Sequence, residues 1–292
     1  YETNGSLADL NKSICNGEHI EKWDSTRKMI TIFGIAASLM YIHGCRLIYR
    51  NLKSSNVLFN SEYEPKLADF NFSRPTSTHY LNMDSLTLES TILSTPLDES
   101  GEKTPLYTAP EILDNLPCNN KVDVYSFGVF LYELFVHKEP DYGMDDQEAI
   151  KASIIIGNRP TIPSDLVPPA YQNLITECWD NESSNRPSFK NIVRRLAMPE
   201  YILPDIDYEM YINYTKKTLD EHFLLKDSDI IQDMKTQSKR ADQLQKKADS
   251  GDVESQYKYG FMLETGDGAI RNTKEAMKYY KMACFNKKGH HL

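Results

Sequence analysis

The length, composition and charge of this chain set the first limits on what it can be. Its 292 residues are enough for one domain of ordinary size and a smaller one, and 40% hydrophobic content indicates a globular fold. The net charge of -9 argues against nucleic acid or an anionic membrane surface as a main partner. Five scattered cysteines without a CxxC pair favour reduced thiols, and no apolar run is long enough to span a membrane. We therefore expect a cytoplasmic protein.

The first long helical pattern runs from Ser25 to Gly44. Apolar side chains recur in it at helical spacing, at Ile32, Ile35, Ala36, Leu39 and Ile42. We predict a helix here, with Ser25 as its N-cap and Gly44 as its stop.

Three short runs typical of β-strands follow this helix and are separated by polar loops. These runs are Leu47–Tyr49, Val57–Phe59 and Lys66–Ala68. Further along, the segment from Asp123 to Phe135 is apolar nearly all round, which predicts a buried helix.

The segment from residue 72 to residue 108 has no clear periodicity and is rich in serine and threonine. A structureless loop of this length inside a compact domain is uncommon, and such loops are usually functional or disordered. Two interpretations stay open: a solvated, disordered segment, or a segment whose hydroxyl groups are phosphorylated.

Near residue 200 the sequence becomes acidic and rich in tyrosine, and polar helix formers then run from Thr218 to Lys247. The last block has two short helical patterns joined by a glycine-rich turn at residues 266–268. One helical pair of this length cannot bury its own apolar face, which is typical of a stacking repeat. A second copy would begin at Gly289.

Five short motifs occur in a fixed order along the first two thirds of the chain. They are YRNLKSSN at residues 49–56, DFN at 69–71, APE at 109–111, DVYSFG from residue 123 and ECWDNESSNRPSF at 177–189. In order and approximate spacing they resemble the HRDLKxxN, DFG, APE and later motifs of eukaryotic protein kinases. The tryptophan and Arg-Pro pattern is similar to that of the tyrosine-kinase-like group of serine/threonine kinases. The resemblance covers about residues 1–197 and is specific because all five motifs occur together.

The resemblance implies a chemical role for four of these positions. Asp69 and Asn56 would supply oxygen ligands to the magnesium ion that accompanies ATP. Lys53 would place a positive charge near the transferred phosphoryl group, and Thr104 would shape the substrate-binding shelf. Lys53 together with Thr104 favours a serine/threonine ancestry over a tyrosine one.

Four further positions are implied to be structural or regulatory. Glu111 and Arg186 should form the buried ion pair that braces the lower lobe, and Asp123 should hold the catalytic-loop backbone. Arg50 could pair with a phosphate on the long serine- and threonine-rich loop.

Two of the motifs depart from the family pattern in residues that bear on catalysis. Asn51 stands where active kinases have the aspartate that accepts the proton of the substrate hydroxyl. Its carboxamide has no carboxylate to take up that proton, and general-base assistance is typically worth about 10²–10⁴ in rate. Asn71 replaces the glycine of DFG, and asparagine is one of the residues that best tolerates positive φ. Tyr49 in place of histidine is a milder change, because active kinases also carry tyrosine there.

The two ends of the sequence carry further expectations. Tyr1–Leu7 resembles the stretch just after the kinase hinge, so we expect either a fragment or a product without the lobe that covers ATP. The last block resembles Sel-one-like repeats, relatives of the tetratricopeptide family. The matching residues are Ala248, Gly251, Gly260, Gly266, Gly268, Ala276, Tyr280 and Ala283.

The sequence as a whole predicts a mainly α (α+β) protein, a protein-kinase C-terminal lobe followed by an α-α solenoid repeat. The predicted divisions are residues 1–197 for the lobe, 198–240 for a linker and connecting helix, and 241–292 for a truncated repeat. We expect a pseudokinase that regulates signalling by binding proteins through the lobe and the repeat, without nucleic acid or membrane partners. Magnesium and ATP would bind only with an upper lobe. Two alternatives stay open: a weakly active serine/threonine kinase, and a solenoid scaffold with a passive kinase lobe.

Overall fold

A computed structural model of the chain describes residues 3–76, 105–221, 243–265 and 273–288. Over these residues the protein is mainly helical, with a few short strands. This is the predicted class, mainly α with a minor β component. A solenoid would need several stacked helical pairs, and the described residues contain one such pair near the C-terminal end.

The α-helices are numbered in chain order. A further helical segment at residues 243–249 has no helix number and is referred to by its residues. They are α1 Leu7–Cys15, α2 Ser25–Gly44, α3 Pro110–Leu113, α4 Lys121–Val136, α5 Gln147–Ile155, α6 Pro169–Cys178, α7 Phe189–Leu196, α8 Tyr208–Glu221, α9 Val253–Thr265 and α10 Thr273–Lys288. Short 3-10 turns occupy Ser54–Asn56, Pro105–Tyr107, Ser183–Asn185 and Pro199–Tyr201.

The strands form two small antiparallel sheets of two strands each. Strand β1 (Leu47–Ile48) pairs with β4 (Arg74–Pro75), and β2 (Val57–Phe59) pairs with β3 (Pro65–Leu67). The three predicted β-type runs therefore lie where the sequence indicates, with ends that differ by at most one residue. The β2–β3 hairpin has a functional consequence, because it brings the residues just before β2 next to those just after β3.

Helix α4 is the centre of the core, and it is buried along almost its whole length, as predicted. It ends where His137 adopts a left-handed conformation, with φ of 61°. Gly128, in the middle of this helix, lets α6 approach closely. A Cβ atom at Gly128 would lie only 3.0 Å from the Cβ of Cys178. Glycine therefore allows this close crossing without any displacement of the neighbouring atoms.

The N-terminal end of α2 corrects one prediction. The helix runs from Ser25 to Gly44 as expected, but Ser25 is its first helical residue, so the prediction that it is the N-cap is wrong. The cap is Asp24, whose carboxylate accepts a hydrogen bond from the backbone N–H of Arg27 at 2.8 Å. The apolar periodicity located the helix but did not distinguish two adjacent residues that both favour this position.

The chain divides into two compact units. The first comprises Tyr1–Lys22 and Gly34–Asn191, and the second comprises Trp23–Phe33 and Ile192–Leu292. In the second unit Tyr211 is fully buried, its hydroxyl donates to the carbonyl of Leu196 at 3.2 Å, and its ring packs edge-on against Phe33.

The C-terminal helices of the second unit form a small core of their own. Its buried members are Ala248, Tyr259, Leu263, Ala276 and Tyr279. The Tyr279 hydroxyl donates to Asp249 at 2.8 Å, and the buried Gln256 amide donates to the carbonyl of Ala248 at 2.9 Å. The two helical patterns predicted in the last block are confirmed as α9 and α10.

Several sequence predictions lie outside the described residues. They are Thr104, most of the segment from residue 72 to residue 108, the turn at residues 266–268 and the second repeat copy at Gly289. Within the part of the chain that the structure describes, no helix is long and apolar enough to cross a membrane.

Candidate functional site

Asp123 lies in the first turn of the buried helix α4 and is itself fully buried. Its two carboxylate oxygens accept the backbone N–H groups of Tyr49 and Arg50, at 2.8 and 2.7 Å. The Nε2 atom of His43, near the end of α2, lies 2.8 Å from the same carboxylate. Arg50 has a left-handed backbone with φ of 65°, a conformation that costs free energy unless its surroundings hold it. Asp123 therefore fixes the loop that begins at Tyr49.

Tyr49 connects this loop to the segment that follows β3. Its hydroxyl donates to the carbonyl of Ala68, and its ring lies 5.1 Å from the ring of Phe70. Burial raises the pKa of Tyr49, and the negative charges of Asp69 and Asp123 raise it further. The hydroxyl is therefore protonated at neutral pH and acts as a structural donor.

Asn51 is buried beside Asp69, although 18 residues separate the two along the chain. Its Nδ2 donates to the Asp69 carboxylate at 2.9 Å and to the Asp69 backbone carbonyl at 3.1 Å. Asn56 then donates from its own Nδ2 to the backbone carbonyl of Asn51 at 2.8 Å. The β2–β3 hairpin causes this meeting, since the N–H of Ala68 also binds the Asn56 carbonyl at 3.0 Å.

Asp69 is exposed and has a left-handed backbone, with φ of 55°. Its Oδ1 accepts the Nδ2 of Asn71 at 2.8 Å, while its Oδ2 accepts the Nδ2 of Asn51. Asn51 and Asn71, the two departures from the kinase pattern that bear on catalysis, therefore bind the same carboxylate.

Lys53 is half-buried and precedes the 3-10 turn Ser54–Asn56, where its carbonyl accepts the N–H of Asn56 at 2.9 Å. The structure thus brings Asn51, Lys53, Asn56 and Asp69 into one region, held by Asp123 through Arg50. Thr104 lies outside the described residues, so its predicted role in shaping the substrate-binding shelf stays a prediction.

Glu111 and Arg186 form a two-pronged ion pair, with N–O distances of 2.7 and 2.8 Å. The Arg186 side chain also donates to the backbone carbonyls of Asp180, Lys121 and Asn181. A planar guanidinium suits this arrangement because its donors point in fixed directions.

One buried cluster was missed in the sequence. Glu133, on the inner part of α4, lies near Tyr107 and Ser54, and its Oε1 is buried without a hydrogen-bond partner among the described residues. The Tyr107 hydroxyl accepts the N–H of Ser54 at 3.1 Å. Burial raises the pKa of Glu133 to about 7, and the nearby polar groups of Tyr107 and Ser54 partly oppose this rise. A glutamate inside an otherwise apolar helix was the available signal, because buried charges need partners.

The site offers part of a magnesium-binding set. Mg²⁺ prefers oxygen ligands and is usually held by one or two carboxylates together with substrate phosphates. Asp69 supplies a carboxylate, and Asn56 supplies an amide oxygen because its Nδ2 is the atom that binds the loop. Among the described residues, no group of three or more His, Cys, Asp or Glu side chains could hold a metal ion. Asp69 and Asn56 would therefore supply two of the cation's ligands, and the phosphate oxygens of a nucleotide would supply others.

A loop held by a buried aspartate, a neighbouring acidic residue after a short hairpin, and a Glu–Arg brace together define the class of a protein-kinase lobe. The family model for protein tyrosine and serine/threonine kinases matches residues 3–196. The chain belongs to this family.

Similar proteins agree with this membership. The chain is 36% identical over 167 residues to the probable serine/threonine-protein kinase drkC of Dictyostelium discoideum, and 32% identical over 221 residues to the dual specificity protein kinase shkD of the same organism. It is 34% identical over 175 residues to the serine/threonine-protein kinase CTR1 of Arabidopsis thaliana. These matches cover 56%, 74% and 59% of this chain and 20%, 27% and 19% of the relatives. The chain thus corresponds to a minor part of each relative's length.

Proposed function

We propose that this chain is a pseudokinase, which uses a protein-kinase fold to bind and regulate other proteins and transfers phosphate poorly. The observation that supports this is the contact between Asn51 and Asp69. A general base must accept a proton, whereas the Nδ2 of Asn51 donates its hydrogens to Asp69. The remaining amide oxygen is not a useful base, since amides are not protonated near neutral pH.

Magnesium and ATP belong to the proposal only in a form of the protein that also has an upper kinase lobe. Asp69 and Asn56 would then contribute oxygen ligands, and the bound cation would offset the charge of the phosphates. Lys53 would hold a positive charge near the phosphoryl group. These residues favour retained nucleotide binding, and they also keep a second candidate open, that of a weakly active serine/threonine kinase. Phosphoryl transfer depends mainly on positioning and electrostatics, so loss of the base impairs it without abolishing it.

Protein partners are the proposed targets, bound by the kinase lobe at residues 1–197 and by the helical block at residues 241–292, with residues 198–240 between them. The exposed apolar side chains Tyr257, Phe261 and Met277 on α9 and α10 support a binding role for the block. Arg50 is proposed as the residue that pairs with a phosphate on the serine- and threonine-rich loop.

The substitution Asn51→Asp in the longest natural form of the protein tests the proposal. If the missing base is the main defect, kcat for phosphate incorporation into a generic serine/threonine substrate should rise by at least about a hundredfold. The gain should appear in kcat because the base acts in the transition state. The control is a variant that combines Asn51→Asp with Asp69→Ala, and it should remain inactive.

A kcat for the unchanged protein in the range of active kinases, about 1–100 s⁻¹, would count against the pseudokinase. An Asn51→Asp variant with no gain although nucleotide binding is intact would contradict a different point, that Asn51 is the main defect, and would place a further defect elsewhere in the site.

A further inference from the structure

Two of the residues that depart from the kinase pattern, Asn51 and Asn71, contact the same carboxylate. Asn51 donates to Oδ2 of Asp69 at 2.9 Å, and Asn71 donates to Oδ1 at 2.8 Å. Each oxygen of the family's magnesium-binding aspartate therefore has its own amide partner. Neither hydrogen bond would form with the usual residues, since glycine has no side chain and an ionised aspartate has no hydrogen to donate.

The backbone around Asp69 reinforces this arrangement. Asn51 binds the Asp69 carbonyl at 3.1 Å as well as its carboxylate, so it holds both the main chain and the side chain. The N–H of Asn71 also faces Oδ1, at 3.4 Å. Hydrogen bonds to an ionised group are about twice as strong as neutral ones, so they orient the carboxylate effectively.

We propose that Asn51 and Asn71 form an amide clamp that holds the Asp69 carboxylate in a metal-free position and weakens its binding of divalent cations. This inference deepens the proposed function and rests on it. In a pseudokinase whose catalytic base is absent, the same substitution that removes the base also supplies a donor to the metal ligand. A cation that binds Asp69 must displace or rearrange the hydrogen bonds from Asn51 and Asn71. In a site with aspartate at position 51 and glycine at position 71, neither of these side-chain hydrogen bonds would be present, and the cation would reach the Asp69 carboxylate directly.

Binding of Mn²⁺ alone to the 292-residue chain tests the clamp, because Mn²⁺ prefers similar oxygen ligands and its free form is measured by electron paramagnetic resonance. The variants are Asn71→Gly, Asn51→Ala and the two together. Each removes one or both amides without adding charge. We expect the affinity for Mn²⁺ to rise roughly three- to tenfold for each amide removed, a range that allows for the exposure of Asp69.

Two further variants make the measurement specific. Asp69→Asn in the double variant should abolish the gained binding, which assigns it to this carboxylate. Asn185→Ala is the matched control, because Asn185 also donates from Nδ2 to a carboxylate, that of Asp180 at 3.3 Å, but outside the site. It should leave Mn²⁺ binding unchanged.

The side-chain amide signals of Asn51 and Asn71 in the NMR spectrum give a readout that does not depend on metal. Both signals should shift when Asp69 is changed to Asn, because both amides lose a charged acceptor. A double variant without Asp69-dependent Mn²⁺ binding, or with the affinity of the unchanged chain, would overturn the clamp. The clamp would also be overturned if the side-chain amide signals of Asn51 and Asn71 did not shift when Asp69 is changed to Asn. These readouts are separate from phosphate transfer, so the clamp and the proposed function can fail independently.

Discussion

Arg186 illustrates how much a single side chain contributes to this fold. It is 1% exposed, and its guanidinium binds the Glu111 carboxylate and three backbone carbonyls. It also lies over the ring of Tyr125, with the guanidinium carbon 5.3 Å from the ring centroid. The charge is therefore fully surrounded by partners, and no shorter or non-planar side chain reaches all of them.

We expect Arg186→Ala to lower the free energy of unfolding by about 3–5 kcal/mol, because Glu111 would keep a largely buried charge without its partner. Denaturant unfolding followed by circular dichroism measures the change. The exposed pair Lys278–Glu275, with an N–O distance of 2.7 Å, provides the control. Lys278→Ala should leave the free energy of unfolding nearly unchanged, because water already solvates both charges of this exposed pair. Equal losses of unfolding free energy in the two variants would show that the buried Glu111–Arg186 pair stabilises the fold no more than an exposed pair does.

At the scale of elements, helix α4 positions most of the candidate site. Asp123 in its first turn holds the loop at Tyr49 and Arg50. One turn later the Ser126 hydroxyl donates to the carbonyl of Tyr107 at 2.7 Å, and further along the helix Glu133 lies near the Tyr107 side chain. A single buried helix therefore holds the loop at residues 49–56 and the turn Pro105–Tyr107 through polar side chains on an otherwise apolar surface.

Glu133 should make the stability of the chain depend on pH. Burial raises its pKa in the folded state to about 7, from the ordinary value of 4.5. Between these two values the folded state binds more protons than the unfolded state, so the free energy of unfolding falls as pH rises and levels off above about 7. We expect Glu133→Gln to be more stable than the unchanged chain by roughly 1–3 kcal/mol at pH 8 and nearly equal to it at pH 4.5.

Thermal and denaturant unfolding at several pH values between 4.5 and 8 measure the difference between the two proteins. Subtracting one profile from the other removes the contributions of other titrating groups. Glu139 also acts on Glu133, because its negative charge raises the pKa of Glu133. Glu139→Gln should therefore weaken the dependence of the free energy of unfolding on pH without removing it. Parallel profiles for Glu133→Gln and the unchanged chain would contradict the assignment.

At the scale of the whole molecule, each compact unit contains a pair of helices that meet at a glycine. Gly128 lies against α6 in the first unit. In the second, a Cβ atom at Gly260 would lie 2.9 Å from ring atoms of Tyr280 on α10 and 3.3 Å from the carbonyl of Ala276. Tyr280 cannot easily move away, since its hydroxyl donates to Glu264 at 2.5 Å and its ring packs against Tyr257.

Gly260→Ala tests whether this close approach supports the C-terminal helices. Alanine favours a helix by about 1 kcal/mol over glycine, whereas overpacking costs about 1–3 kcal/mol, so we expect a net loss. Hydrogen exchange of the α9 and α10 amides should become faster. The double variant Gly260→Ala, Tyr280→Leu should recover protection, because the smaller side chain makes room for the added methyl group. Slower exchange in the single variant would show that helix propensity outweighs the contact.

Much of the architecture could be predicted from the sequence. The apolar spacing from Ile32 to Ile42 located α2, and the uninterrupted apolar character after Asp123 located α4. These patterns are reliable because burial of a face imposes its period on the chain. The cap at Asp24 was missed because adjacent residues of similar propensity are separated only by the actual backbone geometry.

The sequence by itself determined the family motifs, their order and the chemical departures at Asn51 and Asn71, since each is a matter of residue type and local spacing. Only the tertiary structure decided that both amides bind Asp69, and that Glu133 joins Tyr107 and Ser54 inside the core. The physical reason is that Asn51 and Glu133 contact residues distant along the chain, whereas the contact of Asn71 with Asp69, two residues away, depends on the local backbone conformation, which residue type alone does not fix. Asn51 meets Asp69 because a hairpin returns the chain to its own loop, and a polar side chain on α4 finds its partner only when the apolar surfaces around it have closed.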